Sequence, residues 1–151
     1  MIKFEDLKKQ ILLQGLNEDD FAHLSSLLVY KRYKKDEIIF KTGEPPEGIY
    51  LITKGRVRIS TIIHSGHQKT LVIFKEGNYF GDISTLEKRP HSSTAVALMN
   101  VEAYLLSFSN LECGSTKNLS LSCKIIKKLA LISSKNLRHM NIKYYKLEES
   151  F

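Results

Sequence analysis

The spacing of hydrophobic positions changes twice along this chain of 151 residues. Over residues 1–28 it is helical, with Phe4, Leu7, Ile11 and Leu12 on one face. After Gly15, Asn17 followed three residues later by Asp20 predicts an N-cap with an acidic first turn. The helix it opens carries Phe21, Leu24, Leu27 and Leu28. From 29 to 107 the chain breaks into short apolar runs, Glu37–Phe40, Ile49–Thr53, Val57–Ile63, Thr70–Phe74, Thr94–Leu98 and Ala103–Leu106. Between them lie turn-forming stretches: Thr42–Gly48 with two prolines, Lys54-Gly55, His64–His67, Lys75–Asn78 and Met99-Asn100. Such runs predict a mainly β architecture with flanking helices, a sandwich, barrel or jelly roll rather than a parallel α/β sheet. One break is different. Gly81–Leu86 has no strand alternation and an acid near its start, which predicts a single short helix. The last third turns helical again, with a short start at Phe108–Leu111. A long helix follows, capped by Asn118 or Ser120 and running to about Tyr145. Its stripe of Ile125, Ile126, Leu129, Ile132, Leu137, Met140 and Tyr144 is wide enough to touch two surfaces.

Composition narrows the class. With 42% hydrophobic and 26% charged residues the chain is globular in character. No apolar run reaches membrane-spanning length, and acids and lysines interrupt the N-terminal apolar positions, so neither a span nor a signal peptide is expected. Cys113 and Cys123 lack metal-ligand or redox-motif spacing, and a cytoplasmic setting is expected. The net charge of +7 is uneven. Residues 1–116 hold 15 Lys and Arg against 14 Asp and Glu, whereas residues 117–151 hold 8 against 2. That basic segment reads either as a solvated helix face or as a surface for an acidic partner.

Two stretches carry a specific resemblance. KKDEIIFKTGEPPEGIYLITKGRVRIS (34–60) and GNYFGDISTLEKRPHSSTAVA (77–97) resemble the cyclic-nucleotide-binding domain of the catabolite-activator and protein-kinase-A regulatory families. The second stretch is similar to the phosphate-binding cassette of those families, Phe-Gly-Glu-Leu-Ala, a variable loop, then Pro-Arg-Ala-Ala-Thr-Val. The resemblance implies a double-stranded β-helix (jelly-roll) barrel over 29–107, N-terminal helices over 1–28 and C-terminal helices over 108–145, all in one domain. It also implies a regulatory module with cyclic AMP or cyclic GMP as the possible ligand.

The cassette chemistry follows from its residue types. Gly81 lets the backbone come close to a ligand and opens the short helix, whose free N–H groups favour an anion. The resemblance places Phe80, Gly81, Asp82, Ile83, Ser84, Arg89, His91, Ser92, Ser93 and Thr94 at the ligand. Asp82 accepts the ribose hydroxyl or simply starts the helix. Ser93 and Thr94 offer backbone and hydroxyl donors or are ordinary strand-start residues. Two positions depart from the pattern: Asp82 stands where the family has Glu, and His91 where it has the arginine that pairs with the phosphate. A neutral imidazole replaces a permanently charged fork, a loss of roughly ten- to a hundredfold in affinity. His91 faces the phosphate or sits on a surface loop, and Arg89 offers a substitute cation.

In the family the last helix covers the ligand and pairs with its copy. On that basis Ser133 contacts the base, and Ile125, Leu129, Ile132, Asn136 and Met140 form a homodimer interface; the alternative is that Ile126, Leu129 and Leu137 simply cover the barrel. Asn136 resembles a register-setting polar residue of a two-stranded coil. Enzyme chemistry is not expected. The five histidines (23, 64, 67, 91 and 139) are scattered over a helix, a turn, a loop and another helix, without a metal set or a nucleophile and base. Too few residues follow Tyr145 for a helix-turn-helix, so sequence-specific DNA binding by this chain is not expected either. A ligand-free interaction module, or the effector part of a transcription regulator, is the alternative to a sensor.

Overall fold

The computed structural model describes residues 2–111 and 119–150. Two helical pieces, α1 (Phe4–Lys8) and α2 (Glu18–Ser25), flank a 3-10 turn at Ile11–Leu13. Helix α2 begins as the sequence predicts, in a full capping box. Asn17 Oδ1 accepts from the Asp20 amide at 2.8 Å, and Asp20 Oδ2 accepts from the Asn17 amide at 3.0 Å.

Eight strands follow: β1 (Leu28–Tyr33), β2 (Ile38–Phe40), β3 (Ile49–Lys54), β4 (Val57–Ile62), β5 (Gln68–Phe74), β6 (Tyr79–Phe80), β7 (Thr94–Ala97) and β8 (Val101–Leu106). They form two four-stranded antiparallel sheets, ordered β1-β8-β3-β6 and β2-β7-β4-β5. The fold is a jelly roll of two sheets and not a closed barrel. Two of these strands escape the sequence reading. Strand β1 takes Leu28, which helical spacing assigns to the preceding helix, and only that residue of the strand is fully buried. Strand β6 has just two residues, too few for any period.

The core lies in two layers. Strand β3 is buried on both faces. Ile49 and Leu51 join the helices through Leu7, Leu12, Leu24, Tyr104 and Leu106, while Tyr50 and Ile52 point between the sheets toward Phe40, Val57, Phe80 and Leu105. Burial on both sides explains why IYLI reads as an unbroken apolar run.

A short α3 (Asp82–Glu87) follows β6, and α4 (Phe108–Leu111) follows β8. The last helix, α5, spans Leu119–Glu149, four residues beyond the expected end. Its first half lies on the helical layer, burying Leu121, Ser122, Ile125 and Leu129, with Ile132 half-buried beside them. Lys124 Nζ donates to Asp20 Oδ2 at 2.6 Å, tying α5 to α2. Ile125 and Leu129, expected at a dimer interface, are therefore taken up by the protomer's own core. Asn118, one expected cap, lies outside the described residues, as does Cys113. No helix among the described residues is long and apolar enough to cross a membrane.

Candidate cassette site

The turn from β6 into α3 depends on Gly81. Its φ of +81° is left-handed, and a Cβ there would meet the Gly48 carbonyl at 3.0 Å and the Tyr50 ring at 3.2 Å. Thr85 pins the helix from the other side. Its Oγ1 lies 2.6 Å from the Gly81 carbonyl and 3.0 Å from the Gly48 carbonyl, one donor shared by two acceptors. Thr85 is buried, and the sequence reading passes over it. A polar residue one turn after a helix-start glycine is its only sequence signal.

The cassette borders a cavity of about 240 Å³ lined by Phe40, Ile59, Leu71, Val72, Phe74, Phe80, Gly81, Asp82, Ile83, Ser84, His91, Ser92 and Ser93. Eight of the expected ligand residues thus meet there: Phe80 to Ser84 and His91 to Ser93. Thr94 does not line it, because its hydroxyl bonds the Thr42 amide and hydroxyl, each at 3.1 Å. Arg89 does not line it either. It is exposed, with its guanidinium 3.6 Å from the Glu87 carboxylate. Ser133 belongs to a second cavity of about 450 Å³ between α5 and the barrel, with Ile11, Phe74, Asn78, Tyr79, Asp82, Ile83, Ile132, Asn136, Leu137 and Met140.

His91 departs from the surface-loop expectation and stands on the cavity wall. It is only 3% exposed, so it is no surface residue. Its ring stacks face to face on Phe40, with centroids 3.6 Å apart and planes 8° apart. Backbone bonds hold it there: the His91 amide donates to Glu44, and its carbonyl accepts from Gly43. Burial lowers its pKa, against a weaker upward pull from Glu44 and Glu47, so the imidazole at neutral pH is uncharged. Phe40, which fixes this ring, sits 51 positions upstream, and no local sequence signal links the two.

Asp82 is half-buried. Burial raises its pKa, while the amides of Asp82 and Ile83 pull the other way. Tyr79 next to it is pushed up to about 12 by burial and by the Asp82 charge. Among the described residues, Asp82 is the only charged side chain that lines either cavity apart from the neutral His91. The site offers a carboxylate, serine hydroxyls and aromatic walls, with no lysine or arginine among the described residues that line it.

Residues 30–112 match the family model described as "Cyclic nucleotide-binding domain". The chain belongs to this family. The cyclic-nucleotide-binding domain family is regulatory, not catalytic. The chain is 25% identical over 126 residues to the CRP-like cAMP-activated global transcriptional regulator of Mycobacterium tuberculosis, covering 83% of this chain and 56% of that protein. The crystal structure of the Thermus thermophilus catabolite activator protein superposes with a TM-score of 0.78 at 24% identity, covering 92% of this chain and 63% of that one. A cyclic nucleotide-binding domain from Methylobacillus flagellatus gives 0.81 at 21% identity, over 90% and 79% of the two chains. These likenesses establish the fold. The chain spans from about a fifth to just over half of the length of the curated relatives it matches.

Proposed function

We propose that this cyclic-nucleotide-binding domain is a sensor module: a small ligand enters the cassette cavity, and α5 carries the response as the helix of a homodimer. The observation that carries the reading is that the cassette cavity and the α5 cavity share Phe74, Asp82 and Ile83. A ligand that moves these three residues acts on the cavity that Ser133, Asn136 and Met140 line. The response is a population shift, which requires different affinities in the two positions of α5.

The dimer reading rests on a seam. Leu119, Cys123, Ile126, Ala130, Ser133, Leu137, Met140, Tyr144 and Leu147 follow alternate spacings of four and three, and all are exposed in the protomer. This is the a/d pattern of a two-stranded coil. Asn136 flanks the seam and does not lie on it. In a parallel, in-register pair Cys123 faces its own copy, so mild oxidation of a Cys113→Ser variant is expected to cross-link the protomers. Sedimentation as a monomer at tens of micromolar would overturn the dimer.

For the ligand, the family implies cyclic AMP, cyclic GMP or a related phosphate-bearing molecule. Titration calorimetry with both nucleotides is the test, and weak binding is expected because no arginine or lysine meets the phosphate. His91→Arg is expected to strengthen binding about tenfold or more. In the unaltered protein affinity should stay flat from pH 8 to 7. It should rise only below the ordinary imidazole range, where His91 takes up its proton. The missing cation also favours a second reading, a ligand-free interaction module of the same fold, which predicts no heat with any small molecule. The share of its relatives that the chain spans leaves room for a third, the effector part of a longer transcription regulator.

A further inference from the structure

We infer that the cassette cavity is fitted to a small flat organic cation, an aromatic amidine or amine, whose positive head meets Asp82 and whose ring lies against Phe40, Phe74 and Phe80. The inference rests on the sensor reading of this cavity and names its ligand class.

Charge is the first ground. The cavity keeps the acid of the family pattern and lacks the cation that would offset it. Arg89 is turned out to solvent beside Glu87, and the place of the family arginine holds a buried, uncharged imidazole. No lysine or arginine among the described residues lines this cavity or the adjoining one, so a phosphate entering here meets a carboxylate with only backbone and serine donors to offset it. The same arrangement attracts a positive head group, and a cation at Asp82 removes the cost of holding that carboxylate half-buried.

Shape and surface are the second ground. The walls are Phe40, Phe74, Phe80 and the His91 ring, with Ile59 beside them and Leu71, Val72 and Ile83 on the exposed rim. Aromatic faces attract cations as well as rings, and an apolar pocket with one convergent polar group is the usual form of a small-molecule site. A cavity of about 240 Å³ suits a single substituted ring. Because Asp82 lines both cavities, the head group also reaches the side from which Asn78, Tyr79, Ser133 and Asn136 offer hydrogen-bonding groups. Occupancy is thereby felt at α5.

Three isosteric probes test this: benzamidine (cation), benzamide (neutral) and benzoate (anion). Each is titrated into the full chain while the amide resonances of Ile83, Ser92 and Ser93 are followed by NMR, alongside cyclic AMP. Benzamidine is expected to bind at least tenfold more tightly than either isostere and to shift those amides. Asp82→Asn, which removes the charge and keeps the size of the side chain at the start of α3, is expected to cut benzamidine affinity at least tenfold and leave benzamide unchanged. Benzoate or cyclic AMP binding as tightly as benzamidine would overturn the cation inference and leave the sensor reading standing. Equal benzamidine affinity in Asp82→Asn would overturn it as well. Silence from all four molecules would overturn the inference and the sensor reading together.

Discussion

Helix α5 is two different objects joined end to end. Over Leu119–Ile132 one face is packed into the helical layer, with Ile125 wholly buried and Leu129 nearly so. Over Ser133–Glu149 every residue is exposed, among them Leu137 at 60% and Met140 at 66%. The apolar share falls from nine of 14 residues to six of 17, yet Leu137, Met140, Tyr144 and Leu147 keep the spacing of three and four. What also changes is what lies beneath. The packed core ends near Ile132; beyond it Ser133, Asn136, Leu137 and Met140 only border the second cavity, and the helix continues for more than four turns. A helical segment of that length is marginal by itself in water. The proposed dimer answers this, because the exposed seam offers the second half a surface on a second copy.

The sharpest way to break the comparison is to place the same charge in each half. Ile125→Asp puts a carboxylate in the core without a partner, and loss of cooperative thermal unfolding is expected. The milder Leu129→Ala should cost about 2–5 kcal/mol, read as a lowered denaturation midpoint. Tyr144→Asp should leave the fold intact. Equal effects in the two halves would mean that α5 is buried along its whole length.

Next in size is the seam itself. Leu137→Glu with Met140→Glu places like charges across a parallel pair. Dimer dissociation is expected to rise by at least a hundredfold in sedimentation, with the far-ultraviolet signal of the sheets unchanged. A variant that stays dimeric would move the interface to another surface, for example the exposed Leu71 and Ile73 on edge strand β5.

How much of this was legible depends on the range over which each signal acts. Local chemistry was readable: the Asn17–Asp20 capping box, the helix after Gly81 and the run in β3 all follow from neighbours in sequence. Strand β1 was hidden because Leu28 continues the spacing of Leu24 and Leu27, so the period changes without a visible break. The stripe on α5 was visible too, but periodicity gives a direction and not a depth. It could not tell Leu129, over the core, from Met140, beyond it. At the site, motif order named eight residues that the structure brings around one cavity. The state of His91 was out of reach, because a stack on Phe40 and a bond to Glu44 are set by the fold and not by the cassette.

A smaller effect sharpens the first half of the helix. Lys124 bonds Asp20 at 2.6 Å, and this pairing is the largest cause of the lowered pKa of Asp20. Lys124→Ala should cost about 1 kcal/mol, since the lysine is partly exposed and solvent screens the pair. The pH dependence has a definite sign. A carboxylate whose folded pKa lies below its unfolded value near 3.8 stabilises the fold above that value. The contribution fades as pH falls through the folded pKa. Urea midpoints of the native chain and Lys124→Ala should therefore differ at pH 6 and converge in strong acid.

The smallest expected effect tests the orientation of the second half. With Leu137 and Tyr144 at a and Met140 and Leu147 at d, Lys143 falls at g and Glu148 at e. In a parallel, in-register coil the g residue of one protomer lies beside the e residue five positions later in its partner, so each dimer holds two Lys143–Glu148 pairs. Lys143→Glu turns both into repulsions, a change of about 0.5 kcal/mol per exposed pair, or several-fold in the dissociation constant. The single variant also relieves repulsion from Lys146 one turn away in the same chain, so it does not isolate the contact. A double-mutant cycle does, because Lys143→Glu combined with Glu148→Lys restores attraction across the coil. The doubly exchanged chain is expected to dimerise as the native one does, and raised salt should shrink the penalty of each single change. In an antiparallel pair g faces g and e faces e, so exchanging the two residues would restore nothing. A cycle with no coupling energy would thus reject the parallel arrangement even if the Leu137 and Met140 substitutions had already shown that the helix pairs.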